Sequence, residues 1–115
     1  MRIISGTAKG RRLASFGGDR IRPTSDRTKE ALFNIIASSF GPLEDKAVLD
    51  LFSGTGNLGI EALSRGADRA VFVDENPKSI NILKKNIDLC GFTGRSEVLQ
   101  SSVSSGIKFL SKKIR

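Results

Sequence analysis

A chain of 115 residues, 38% hydrophobic and 27% charged, has the composition of one globular domain and not of a disordered segment. One cysteine and no histidine exclude an internal disulfide and a zinc site, so no metal is expected. The net charge of +7 is split into +6 over residues 1–29, −3 over 30–97 and +4 over 98–115, which points to a polyanion met by the basic ends.

Residues 1–23 are rich in Arg, Lys and Gly with short apolar pairs, Ile3–Ile4 among them, a pattern that suits a basic β-hairpin or extended arm. Its opening has no apolar run of signal-peptide length, and no later stretch approaches the roughly 20 apolar residues a bilayer requires. A soluble, cytoplasmic protein with no membrane partner is expected. Residues 24–40 read as a helix. Thr24, Ser25 and Asp26 are good N-caps, Ala31, Leu32, Ile35, Ile36 and Ser39 keep helical spacing, and Gly41-Pro42 ends the run.

From residue 47 the period changes. The run from Ala47 to Phe52 reads as a buried parallel strand, followed by glycine-rich residues 53–59 and a helix to about Arg65, closed by Gly66. Ala70 to Val73 is a second strand. Asn76 caps a helix with Pro77 at its first position, and Ile80, Leu83, Ile87 and Cys90 face inward. Glu97 to Leu99 is a third strand, and Val103 to Ile114 a further helix. This alternation predicts an α/β fold with a parallel sheet, whose ligands bind at the carboxyl ends of the strands, here residues 50–56, 74–76 and 100–103.

Gly54, Gly56 and Gly59 satisfy G-x-G-x-x-G between a strand and a helix, and Asp74 ends the next strand 20 residues after Gly54. Such glycines let a nucleoside ligand approach the backbone, and an acid at the next strand end can hold ribose hydroxyls. A pyrophosphate on the helix N-terminus would be repelled by Asp50, four residues before Gly54. S-adenosylmethionine carries an ammonium and a sulfonium instead, which Asp50 complements. The plain alternative is a glycine turn with a helix-capping Asp.

The run from Val48 to Gly56, with Gly59-Ile60-Glu61-Ala62-Leu63-Ser64-Arg65-Gly66-Ala67, resembles the bacterial methyltransferases that modify the N2 of a guanine in 16S ribosomal RNA. The opening Arg2-Ile3-Ile4-Ser5-Gly6, Lys9-Gly10-Arg11-Arg12-Leu13 and Arg22-Pro23-Thr24-Ser25-Asp26-Arg27 are similar to that family as well, as is Glu30-Ala31-Leu32-Phe33-Asn34. The resemblance implies a Rossmann-like methyltransferase domain over 24–115, preceded by the basic arm 1–23. It implies S-adenosylmethionine as cofactor, leaving as S-adenosylhomocysteine. Asp50, Phe52, Ser53, Gly54, Thr55 and Gly56 would line its methionine end. Asp74 would hold the ribose, and Glu75, Asn76 and Ser102 would lie near the adenine. Arg2, Lys9, Arg11, Arg12, Arg20, Arg22 and Arg27 would face ribosomal RNA or a small-subunit assembly intermediate.

Two departures stand out. Gln100-Ser101-Ser102 occupies the place where the family carries an acid near the adenine amine. The Asp/Asn-Pro-Pro-aromatic motif that orients an exocyclic amine and stacks an extruded base is absent, so no catalytic residue is assigned. The expectation is a domain incomplete after the third strand and its helix, marginal alone, with the apolar edge of residues 48–52 open to pairing. The rival readings are a non-catalytic RNA-binding remnant, a nicotinamide-dependent dehydrogenase and a DNA methyltransferase.

Overall fold

The computed structural model describes residues 1–15 and 25–113. Helix α1 (Asp26–Phe40) is followed by β1 (Ala47–Asp50), α2 (Asn57–Ser64), β2 (Arg69–Asp74), α3 (Pro77–Leu89), a 3₁₀ turn at Thr93–Arg95, β3 (Ser96–Gln100) and α4 (Val103–Lys113). Of the residues singled out in the sequence, Arg20, Arg22, Pro23, Thr24 and Ile114 lie outside the described part.

The three strands form a parallel sheet in the order β1-β2-β3, with Ala47 opposite Arg69 and Ala70 opposite Ser96. Parallel neighbours need crossovers, and α2 and α3 supply them. Both lie on one face: α2 packs on Phe72, and Leu83 of α3 meets Ile60 of α2 beside Gly56. Val73 is the next residue along β2 and faces the other way, toward Gly106 of α4. The core sits mainly under α2 and α3, with Ile60, Leu63, Phe72, Leu83 and Ile87 fully or nearly fully buried.

Two expectations about burial change. β1 is parallel but half exposed, because among the described residues it pairs only with β2; Leu49 keeps 48% of its surface, and Leu51-Phe52 leave the strand as a turn. α1 begins where the sequence predicts, with the Ser25 hydroxyl accepting from Thr28 N at 3.2 Å. Its buried residues, however, are Lys29 and Phe33, while Ile35 is 63% exposed. The apolar spacing catches that face only in part: Leu32 and Ile36 are half-buried and Ile36 packs on the core, but Ile35 points outward and a buried lysine carries part of the contact.

The opening residues form a short hairpin. Arg2 and Arg12 bridge antiparallel, and Ile3 N donates to Arg11 O at 2.9 Å. Ile3, Ala8 and Leu13 join the same hydrophobic cluster as the sheet and helices. The hairpin is held to α2 by unusual acceptors: Ile4 N and Ser5 N donate to the two carboxylate oxygens of Glu61, at 2.9 and 3.1 Å. Ala8 N donates to the Ser64 hydroxyl at 2.9 Å. Among the described residues no helix is long and apolar enough to cross a membrane.

Candidate functional site

The carboxyl ends of the strands meet at one place. β1 ends at Asp50, and the turn through residues 51–56 folds against the end of β2, with Ser53 N donating to Val73 O at 3.2 Å and Gly56 N to Ser53 O at 2.8 Å. The three glycines of the motif have three different causes. A Cβ on Gly59 would lie 2.3 Å from the Phe72 ring, so this glycine sets the α2–β2 approach. Gly56 has φ +95°, and a Cβ there would meet Leu83 at 2.5 Å. Gly54 also has positive φ, +53°, but nothing lies within 4 Å of where its Cβ would be. Gly54 is therefore the position where the backbone lies open to a ligand.

Asp74 joins the turns. Its Oδ2 accepts from Gly54 N and its Oδ1 from Asn76 N, both at 2.9 Å, while its carbonyl accepts from Ser101 N at 3.1 Å. Each carboxylate oxygen still has a lone pair for an outside donor. Asp50 accepts from Gly59 N at 3.2 Å and so serves the first turn of α2. Burial raises its pKa; the N–H groups of Gly59 and Phe52 act against that, and the nearby charge of Asp74 adds to it. The Ser53 hydroxyl is buried and has no hydrogen-bond partner among the described residues. That hydroxyl lies at the foot of the glycine turn, one residue before Gly54, where it can pair with an incoming polar group.

Of the remaining expected contacts, Phe52 is 82% exposed and Glu75 is exposed beside Asp74. Thr55 is partly buried, its hydroxyl 3.6 Å from the sulfur of Met1. The Ser102 hydroxyl accepts from Ser105 N at 3.2 Å, capping α4, and its proton remains available to donate.

The family model described as "Conserved hypothetical protein 95" matches residues 1–114. The chain belongs to that family. Ribosomal RNA small subunit methyltransferase D of Escherichia coli is 37% identical over 113 residues, covering 98% of this chain and 54% of its own length. A solved hypothetical protein of Thermus thermophilus superposes with a TM-score of 0.82 at 29% identity, over 98% of this chain and 62% of that one. An RNA methyltransferase of Salinibacter ruber, solved with S-adenosyl-L-homocysteine, gives a TM-score of 0.61 at 23% identity over 71% of this chain and 51% of that one; this likeness shows the fold alone. The chain thus spans between 51% and 62% of the length of these proteins. The α/β, Rossmann-like methyltransferase fold read from the sequence is the fold observed, with three parallel strands.

The basic residues of the family's opening lie on the surface. Lys9, Arg11, Arg12 and Arg27 are exposed, and Arg2 is exposed while pairing with Asp26 at 2.9 Å. Sequence reasoning missed the polar residues that fasten the arm to the site. Lys29 and Glu61, 1% and 0% exposed, pair at 3.0 Å, and Lys29 also donates to Arg2 O and to Asn57, each at 2.7 Å. Asn86, fully buried on α3, bonds both the arm and the glycine turn. Glu61 did carry a signal, an acid inside the apolar run Ile60 to Leu63 with Arg65 four residues on. Lys29 and Asn86 carried none, since each stands among other polar residues.

Proposed function

We propose that this chain holds S-adenosylmethionine for methyl transfer to the N2 of a guanine in small-subunit ribosomal RNA, in the cytoplasm. The observation that carries the reading is the Asp74 carboxylate fastened to the amide of Gly54 beside an open backbone, with a partnerless buried serine hydroxyl at Ser53. Asp74 would take the ribose hydroxyls, since both of its oxygens retain capacity. Ser53, Gly54, Thr55 and Gly56 would meet the methionine carboxylate, with Phe52 covering it. Asp50 would meet the ammonium directly or through water, and Glu75, Asn76 and Ser102 would border the adenine.

Charge supports the methyl donor over a dinucleotide. Two carboxylates, Asp50 and Asp74, lie close enough for each to feel the other. A pyrophosphate on the N-terminus of α2 would have to sit against Asp50, whereas a ligand carrying an ammonium relieves it. The bound donor supplies a methyl group on a positive sulfur, transferred directly with inversion at carbon. This chain's own part is to fix that ligand and so replace a bimolecular encounter by an oriented one. It contains no Asp/Asn-Pro-Pro-aromatic motif, so no residue here is assigned to the acceptor amine.

Arg2, Lys9, Arg11, Arg12 and Arg27, with Arg20 and Arg22 beyond the described residues, would meet phosphates of the RNA. Such contacts make affinity fall with added salt. The relatives' names support ribosomal RNA as the target. Calorimetric titration of the 115-residue chain tests the reading. S-adenosylhomocysteine is expected to bind and NADH not to; binding of NADH without S-adenosylhomocysteine would replace the methyltransferase reading by the dehydrogenase one.

A further inference from the structure

Asn86 is 0% exposed and uses both hydrogens of its amide. One goes to Thr55 O at 2.9 Å and the other to Ala14 O at 2.9 Å, while its Oδ1 accepts from Ala14 N at 2.7 Å. A single side chain on α3 therefore satisfies the backbone of the glycine turn and both polar groups of one arm residue. These partners lie 31 and 72 positions away in the chain. The Thr55 hydroxyl on the same turn reaches Met1 of the arm at 3.6 Å. On the other side, Lys29 holds Arg2 O and Asn57, the first residue after the turn. Through Asn86 and Lys29 the arm is thus tied to the turn just past Gly54, at Thr55 and Asn57.

We infer that Asn86 is a positioning residue which makes the N-terminal arm a structural wall of the cofactor turn, so that seating the arm and binding the methyl donor are coupled. The inference rests on the cofactor reading above. Its physical basis is reciprocal: if Asn86 is satisfied only when arm and turn are both in place, a ligand that fixes the turn also fixes the arm. The basic residues of the arm, Lys9, Arg11 and Arg12, follow the same backbone, so the donor would tighten the surface offered to RNA.

Titration of S-adenosylhomocysteine into the unaltered chain, Asn86→Ala and Asn86→Asp, with circular dichroism to confirm folding, tests this. Asn86→Ala is expected to bind roughly tenfold more weakly, the scale of one misplaced buried hydrogen bond. Asn86→Asp cannot donate to Thr55 O when ionised. Compared with the unaltered chain at the same pH, its affinity should recover in part as pH falls and its carboxyl gains the one proton it can donate to Thr55 O or Ala14 O. Hydrogen exchange on the unaltered chain gives a second readout that needs no variant: the ligand should slow exchange at the Ala14 amide. Equal affinity in Asn86→Ala, or unchanged exchange at Ala14 on binding, would overturn the inference while leaving the cofactor reading in place. Failure of the unaltered chain to bind S-adenosylhomocysteine would overturn both.

Discussion

Under the proposed function, Asp50 would set stability against ligand binding. Burial raises its pKa in the folded state, so ionisation at neutral pH works against folding: the favourable contribution is complete below the unfolded value and is lost as pH rises through the folded one. A cationic ligand reverses this locally. Asp50→Asn keeps an acceptor for Gly59 N but removes the charge. Its melting midpoint at neutral pH should be several degrees higher, the shift that about 1 kcal/mol produces in a chain of this size. Affinity for S-adenosylmethionine should drop. Titrations at successively lower pH should show the unaltered chain losing affinity as Asp50 is protonated, and the variant lacking that acid limb. A variant that binds as tightly as the parent would remove Asp50 from the site. Asp50, Asp74 and the glycines were legible because their spacing reports a fixed turn. Ser53 was legible as a position, but its partnerless state depends on how the turn packs, which no spacing reveals.

At the scale of elements, α2 is the joint on which the molecule is assembled. Its N-terminus follows the glycine turn, its apolar side rests on β1 and β2, and Glu61 and Ser64 take the amides of the arm. Burial pushes the Glu61 pKa up, but the Ile4 amide, Arg65 and Lys29 outweigh it, and the net direction is down. The anchorage is therefore complete above the ordinary glutamate value and is lost as pH falls through the lower value of the folded state. Removing one member of a buried pair strands the other. Lys29→Met is expected to cost about 3 kcal/mol in urea unfolding, and adding Glu61→Leu should not restore it, because the Ile4 and Ser5 amides then lose their acceptors. A cost under about 0.5 kcal/mol would mean that Arg65 alone suffices for Glu61. The strands and helices themselves were readable: Ser25 and Asn76 cap α1 and α3, and the change of period marks β1. The face of α1 was so only in part, because a charged residue counts as outward in any apolar pattern unless its partner, here Glu61, is known.

For the whole molecule, the decisive feature is the side of β1 that pairs with no strand among the described residues. A groove of about 390 Å³ runs beside it, lined largely by apolar residues, Leu32, Ile36, Phe40, Leu43, Val48 and Leu58 among them. Unpaired strand groups beside an apolar groove favour association. The net charge of +7 opposes it at low salt. Sedimentation velocity should therefore show association that grows with protein concentration and with salt, and Leu49→Lys should reduce it. RNA affinity should move the opposite way with salt. A monomer at every concentration and salt level would show that the groove side is self-sufficient. One more consequence lies in the fastening of the arm. Residues 1–14 leave the ribosome before α2 and α3, and their hairpin can close by itself through Arg2 and Arg12. Yet the acceptors for Ile4, Ser5 and Ala8 belong to residues made 56 or 57 positions later, and the one for Ala14 to a residue 72 positions on. During synthesis this segment thus waits for its berth, with Ile3 and Leu13 uncovered until α2 and α3 have emerged.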